Sequence, residues 1–147
     1  MSSTSTTSSL HSLLPATSTH GHLTTWLLLV GLTSMINGLI NLFSRSASHR
    51  VYSSQRGKAQ ATPLSSRVFG IWNITSSAVR LVAAYRPDQS TAYQLAMVTF
   101  AIALLHFATE AFFHRTMDLR QPGSISPFFV AAGSLIWMSL QYGSYLA

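Results

Sequence analysis

Four long apolar segments occupy most of this 147-residue chain, and the few polar residues in each segment recur at helical spacing. The segments cover residues 23–43, 68–85, 92–113 and 125–145, each close to the roughly 20 residues that a helix needs to cross a bilayer. The pattern predicts an all-α polytopic membrane protein, a four-transmembrane-helix antiparallel bundle. We expect residues 23–147 to form this transmembrane domain and the Ser/Thr-rich residues 1–22 to be a disordered tail.

Composition narrows the possible functions. Hydrophobic residues make up 48% of the chain and charged residues 8%, whereas about 25% charged residues is usual in soluble domains. Outside the four segments the chain is too short for a separate catalytic domain. Cysteine is absent, which excludes disulfides, thiolate nucleophiles and sulfur-ligated metals.

The positive charges are concentrated in two connections between the apolar segments. Basic residues near membrane spans favour the cytosolic side, so we expect residues 44–67 and 114–124 to be cytosolic and both termini to be lumenal. The first connection also suits anionic lipid headgroups or an acidic partner. Because no nucleic-acid-binding motif accompanies the charge, we expect no nucleic-acid partner. The residues are Arg45, Arg50, Arg56, Lys58 and Arg67 in the first connection, and Arg115 and Arg120 in the second.

Small and polar side chains line one face of each of the first three segments. In lipid, such residues let helices approach closely and form hydrogen bonds with each other. The spacing of Ser34 and Gly38, and the small pair Ala132 and Gly133, suggest in addition that the chain self-associates. The facing residues are Ser34, Asn37, Gly38 and Asn41, then Gly70, Asn73, Ser77, Arg80 and Ala84, then Thr99, Ala103, His106 and Glu110.

Three ionisable residues lie inside the predicted spans, where such groups are costly and usually functional or internally paired. At a rise of about 1.5 Å per residue, Arg80 and Glu110 lie at different depths. We therefore expect no ion pair between them, and we expect Arg80 to extend towards the non-cytosolic surface near Tyr85 and Asp88. Glu110 lies level with Asn41, Asn73 and His106, which predicts a polar layer in the cytosolic half.

The sequence gives little support to an active site. His106, Glu110 and His114 recur every four residues, a spacing that metal sites use, but the chain lacks the large histidine set of membrane di-iron oxygenases. No Gly-rich phosphate loop and no Ser or Cys nucleophile constellation is recognisable. We therefore expect no metal, no cofactor and no catalytic residues.

Several motifs resemble the fungal and animal ergosterol biosynthetic protein twenty-eight family. They are LSSRVFGIW at residues 64–72, Arg80 and Tyr85, LHFATE at residues 105–110, and SLIWM at residues 134–138. The most specific parts are the Arg-x-Phe-Gly-x-Trp motif that opens the second segment and the His-Phe-x-x-Glu motif in the third. The resemblance extends over most of the chain and excludes the Ser/Thr-rich start.

The resemblance implies an endoplasmic-reticulum membrane protein that catalyses nothing itself and tethers the enzymes of sterol C-4 demethylation. The implied partners are the sterol C-4 methyl oxidase, the C-4 decarboxylating sterol dehydrogenase and the 3-ketosteroid reductase, with the sterol C-24 methyltransferase added in fungi. A tether raises the effective concentration of one enzyme's product near the next enzyme. Membrane lipid is the surrounding partner, and a homo-oligomer is a further hypothesis.

The residues that we expect to matter are structural or interaction positions. Each has a simpler alternative: Arg67 anchors the interface, the tryptophans fill the bundle, and His106 satisfies Glu110. The competing function is a small membrane sterol carrier or enzyme, in which His106 and Glu110 move protons in an intramembrane pocket. The candidate positions are Arg67, Phe69, Gly70, Trp72, Asn73, Arg80, His106, Glu110 and Trp137.

Overall fold

The computed structural model describes residues 21–44 and 46–146, and all regular structure in these ranges is helical. The all-α prediction is therefore confirmed. The predicted tail lies, except for Gly21 and His22, outside the described residues. The elements are α1 (Leu23–Phe43), a 3-10 turn (Ala47–Arg50), α2 (Gln55–Gln60), α3 (Pro63–Tyr85), α4 (Ser90–Ala108), a π-helical turn that continues α4 (Thr109–Phe113), α5 (Pro122–Leu140) and α6 (Tyr142–Leu146).

Three helices in the described residues are long and apolar enough to cross a membrane. They are Leu23–Phe43, Ser90–Phe113 and Pro122–Leu140. The fourth long helix, α3, has 23 residues and is long enough to cross, but it is more polar than the others. Because its polar side chains include the buried Ser66, Ser77 and Arg80, the bundle rather than lipid surrounds much of its polar face.

The helix boundaries follow local capping chemistry. The first predicted span coincides with α1, whereas α3 begins five residues before the predicted start at residue 68. Thr62 explains that earlier start, because its Oγ1 accepts a hydrogen bond from the Ser65 N–H at 3.1 Å and Pro63 occupies the first turn. The fourth span was predicted to continue to residue 145, but α5 ends at Leu140 and the short α6 follows.

Contacts between α1 and α3 show that these helices are antiparallel. Ser77, in the second half of α3, donates to the Gly31 carbonyl oxygen in the first half of α1 at 2.6 Å. Ser66, near the start of α3, donates to Asn41 Oδ1 at 3.2 Å, near the end of α1. Residue numbers that rise on one helix therefore meet numbers that fall on the other.

The remaining helices continue the up-and-down order. Arg80 meets Thr99, and Trp72 meets His106, so α3 and α4 are also antiparallel. Tyr93 near the start of α4 donates to the Met138 carbonyl oxygen near the end of α5 at 2.7 Å. The four long helices thus form an antiparallel bundle in which both long connections lie at one end.

Glycines bring α1 and α3 unusually close together. A Cβ placed on Gly70 would lie 2.8 Å from the Gly38 carbonyl oxygen, and one on Gly38 would lie 2.9 Å from the Gly70 carbonyl oxygen. A side chain at either position would therefore collide with the backbone of the partner helix. We call this contact the α1–α3 seam. Gly38 therefore packs against α3 of the same chain and is not available for contact with a second copy.

Large apolar side chains cover the outside of the bundle. The interior is filled by smaller residues and a few aromatic rings such as Tyr93 and Phe100. The outer side chains stay exposed, because no other part of the described chain covers them. Such a surface is expected of a protein whose outer solvent is lipid. Examples exposed by half or more are Leu29, Ile36, Val68, Ile71, Ile102, Leu105, Phe129 and Ile136.

The α1–α3 seam makes a direct prediction for stability. Gly70→Ala is expected to lower the free energy of unfolding by about 1–3 kcal/mol, because its methyl group forces the two backbones apart. Thermal unfolding of the purified chain in mild detergent measures this loss. Gly143→Ala is the matched control, since a Cβ on Gly143 meets nothing within 4 Å. Equal melting temperatures for the two variants would contradict the seam.

Candidate functional site

The two basic connections fold together into one layer at the end of the bundle. We call residues 46–62 and 114–121 the loop layer. Ser54 Oγ donates to the Arg115 carbonyl oxygen at 3.0 Å, and the Ser54 N–H donates to the Thr116 carbonyl oxygen at 3.2 Å. Arg115 has φ 58°, a left-handed conformation uncommon for a residue with a side chain. The layer is therefore a specific structure and not a pair of independent loops.

Tyr52 fixes the loop layer to the bundle. Its hydroxyl group lies 2.8 Å from His106 Nε2, and its ring meets Phe69 edge to face at 5.6 Å between centroids. Burial, and after it the nearby Glu110 carboxylate, raise the pKa of the Tyr52 phenol, because both disfavour the phenolate. The phenol therefore stays protonated at neutral pH and can donate to the imidazole.

A groove of about 540 Å³ runs past this tyrosine–histidine pair, between the first turns of α3 and the last turns of α4. Its walls are mainly apolar, and the hydroxyl and imidazole groups lie together in it. The volume falls within the range of about 300–1,000 Å³ of small-molecule sites. The lining residues are Tyr52, Thr62, Leu64, Ser65, Val68, Phe69, Trp72, Ile102 and His106.

Glu110 lies one turn further along, where α4 widens into the π-helical turn. Thr116 Oγ1 donates to Glu110 Oε2 at 2.5 Å, and the Thr116 N–H donates to the Glu110 carbonyl oxygen at 2.9 Å. A π-helical turn inserts an extra residue into a helix and is frequent at functional sites. Here it is followed by the chain reversal that brings Thr116 back to Glu110.

His106 and Glu110 therefore do not form the pair considered from the sequence. His106 bonds to Tyr52, and Glu110 bonds to Thr116 and lines an adjoining depression of about 210 Å³, which shares Tyr52 and Ser65 with the groove. Asn41 bonds to Ser66 and to its own helix. These polar groups share the loop-layer half of the bundle, as predicted, but each is satisfied separately.

Arg80 corrects a second expectation. It was expected to extend towards the surface near Tyr85 and Asp88, but only 6% of it is exposed. Its Nε donates to Thr99 Oγ1 and its Nη1 to Ser34 Oγ, both at 3.1 Å. The guanidinium carbon also lies 4.1 Å from the centre of the Phe100 ring. Oxygen partners on α1 and α4, together with an aromatic face, hold the side chain inside the bundle.

The other candidate positions predicted from the sequence lie in different parts of the bundle. Arg67 is exposed near the start of α3, Gly70 belongs to the α1–α3 seam, and Asn73 Nδ2 donates to the Phe69 carbonyl oxygen at 2.8 Å. Trp137 lies at the opposite end of the bundle, 6.4 Å between ring centroids from Trp26. The structure thus brings together Phe69, Trp72 and His106 and leaves Arg67 and Trp137 apart from them.

Sequence reasoning missed two members of this site. Tyr52 and Thr116 both lie in the loop layer, where basic residues dominate the pattern and hide an isolated aromatic or hydroxyl group. An aromatic residue in an otherwise polar connection was the available signal for Tyr52. Within the described ranges, no group of three or more His, Asp or Glu side chains is placed to hold a metal ion.

Comparisons with known proteins all indicate one family. A family model described as "Erg28 like protein" matches residues 23–136. Ergosterol biosynthetic protein 28 of Candida albicans is 36% identical over 135 residues, covering 92% of this chain and 95% of that protein. The Saccharomyces cerevisiae protein of the same name is 31% identical, covering 85% and 83% respectively. A Homo sapiens homolog is 30% identical, covering 79% and 81%. No solved structure matches the chain.

The tyrosine–histidine contact is testable by a double-mutant cycle. Tyr52→Phe and His106→Gln are each expected to destabilise the protein, and the double variant should lose less than the sum because both single changes break the same hydrogen bond. A coupling of about 0.5–1.5 kcal/mol is expected. Thermal unfolding in detergent measures it.

The control cycle pairs Tyr52→Phe with Trp137→Phe, at the other end of the bundle. These two changes should be additive within about 0.5 kcal/mol. If the Tyr52 and His106 changes were equally additive, the contact would not stabilise the fold.

Proposed function

Since the chain belongs to the Erg28-like family, we propose that it is a non-catalytic scaffold of sterol biosynthesis in the endoplasmic-reticulum membrane. In this proposal the four long helices all cross the bilayer, and α3 crosses with its polar face turned towards α1 and α4. The scaffold tethers the sterol C-4 methyl oxidase, the C-4 decarboxylating sterol dehydrogenase and the 3-ketosteroid reductase. In fungi it also tethers the sterol C-24 methyltransferase.

One observation carries this proposal: the ionisable side chains inside the bundle are held by neutral partners from the fold. Arg80 bonds to Thr99 and Ser34, and Glu110 bonds to Thr116. These bonds link α3 to α1 and α4, and the π-helical turn to the loop layer. The large apolar side chains point outwards instead, where helices of membrane enzymes can pack against them.

The loop layer supports the proposed orientation. Both basic connections lie at the same end of the bundle, and the short connection with Arg86 and Asp88 lies at the other end. With the basic end cytosolic, residues 44–67 and 114–124 face the cytosol, and both termini face the lumen. The loop layer is then a second surface on which cytosolic domains of the enzymes can dock.

Glycosylation tags test this orientation. A tag at the N-terminus is expected to be glycosylated in endoplasmic-reticulum membranes, whereas a tag inserted between Ala61 and Thr62 is expected to stay unmodified. Electrophoretic mobility before and after deglycosylation gives the readout. The reverse pattern would overturn the orientation, and modification of both tags would show that α1 does not cross.

Self-association is also part of the proposal, through one of the two contacts suggested by the sequence. Gly38 is occupied in the α1–α3 seam, whereas Gly133 on α5 has open space around it. A second copy would therefore contact α5 near Ala132 and Gly133. A strictly monomeric species in mild detergent would contradict this contact.

A photo-crosslinking scan tests the scaffold. A photoreactive amino acid replaces one exposed residue on each of three helices: Ile71 on α3, Phe113 at the end of α4, and Ile136 on α5. We expect at least one position to crosslink to the proposed enzymes in native membranes, identified by mass spectrometry. Tyr93, which is fully buried, is the control position and should give no enzyme adduct. Adducts with lipid alone at all three positions would contradict the scaffold.

A sterol carrier is the second candidate, because of the groove beside Tyr52 and His106. A flat apolar body would lie along Phe69 and Trp72, and its hydroxyl group would meet the phenol and imidazole. The proton-transfer version, which needs His106 and Glu110 together, is not favoured, because His106 is hydrogen-bonded to Tyr52 and Glu110 to Thr116.

A further inference from the structure

A second cavity, of about 310 Å³, lies inside the bundle between α1, α3, α4 and α5. Its walls are mostly aliphatic and aromatic and include Phe69, Trp72 and Val130. Arg80 lines one end, and Arg50 in the loop layer and Gly123 in the first turn of α5 also line it. About three turns of α3 separate Phe69 from Arg80, or about 16 Å at a rise of about 1.5 Å per residue. The cavity is thus long, largely apolar, and bordered by two cations, Arg80 deep in the bundle and Arg50 in the loop layer.

The charge of Arg80 has no acidic partner there. The chain contains three acidic residues, Asp88, Glu110 and Asp118, all within the described ranges, and none of them lines this cavity. The hydrogen bonds described for Arg80 all end on neutral oxygens, those of Ser34 and Thr99. A guanidinium group carries five N–H donors, so donors are left for a further partner. A buried cation with neutral partners alone is costly in a medium of low polarity.

We propose that this cavity binds the carboxylate of a lipid, with the acid group on Arg80 and the apolar body along the aromatic walls. A guanidinium group binds a carboxylate through two parallel hydrogen bonds, and such charge-assisted bonds are among the strongest in proteins. At about 310 Å³ the cavity is far larger than the roughly 30 Å³ of one water molecule, and it lies at the lower end of small-molecule sites. The ligand is therefore an acid with a compact apolar body.

A lipid carboxylate can come from two sources, a fatty acid or a steroid acid. The steroid source rests on the proposed function in sterol biosynthesis, whereas the site itself rests only on Arg80 and the cavity. The phosphate of a two-chain phospholipid is a poorer match, because it lies at the membrane interface while the guanidinium group lies inside the bundle.

Thermal unfolding of the full-length chain in non-ionic detergent tests the proposal, with laurate, lithocholate and their methyl esters as probes. An acid is expected to raise the melting temperature, and its methyl ester, which carries no charge, is not. Trp72 lines both this cavity and the groove beside Tyr52. Its fluorescence, in a chain with Trp26 and Trp137 changed to Phe, gives the dissociation constant, and the variants below assign the binding to the cavity. Stabilisation by laurate alone would identify a fatty acid, and stabilisation by lithocholate alone would identify a steroid acid.

Three variants decide whether Arg80 is responsible. Arg80→Gln should weaken binding of the acid by about tenfold to a hundredfold, as expected for loss of a charge-assisted hydrogen bond. Arg86→Gln, which removes an exposed arginine at the end of α3, should leave binding unchanged. Val130→Phe, which fills the cavity and leaves Arg80 in place, should abolish binding even if Arg80→Gln does not fold.

The proposal would be overturned by equal stabilisation from acids and esters, by unchanged binding in Arg80→Gln or Val130→Phe, or by no binding of either acid. None of these results bears on the scaffold, because the crosslinking scan uses positions on the outside of the bundle. Conversely, a failed crosslinking scan would leave the carboxylate site standing on its own evidence.

Discussion

The close approach of α1 and α3 is the contact on which the rest of the structure depends. Gly38 and Gly70 allow the two backbones to touch, and Ser77 donates across this contact to the Gly31 carbonyl oxygen. Because lipid offers apolar side chains no gain on association, membrane helices associate through such close packing and interhelical hydrogen bonds. The seam turns the polar face of α3 inwards, which in the proposed scaffold allows the least apolar of the four long helices to cross the membrane.

The seam also sets where the charged groups go. With α1 and α3 paired, Arg80 lies between Ser34 and Thr99 and beneath the Phe100 ring, so it is buried rather than directed to the surface. At the other end, the pair presents the start of α3 to the loop layer, where Tyr52 reaches His106. The interior of the bundle thus contains a cation level with the middle of α1 and α4, and a hydrogen-bonded aromatic cluster near the loop layer.

The sequence predicted the helices well because their causes are local. The length of the first apolar segment predicted both ends of α1 correctly. Both basic connections were found, but each ends earlier than predicted, because the next helix begins at Pro63 and at Pro122. The side-chain partners were harder to predict. Helical spacing placed His106 and Glu110 on one face of α4, but partners for both come from the loop layer, which has no periodic pattern. The direction of the Arg80 side chain was predicted from its depth in the membrane alone. Depth gives no information about the oxygen atoms that neighbouring helices offer as hydrogen-bond acceptors.

Our central proposal is that this chain acts by holding enzymes together and not by chemistry of its own. Reconstitution of the three C-4 demethylation enzymes in lipid vesicles, with and without the chain, tests it most directly by measuring how much sterol intermediate is released before the final product forms. The account predicts less released intermediate when the chain is present and no sterol conversion by the chain alone. Conversion by the chain alone, or identical release with and without it, would contradict the account.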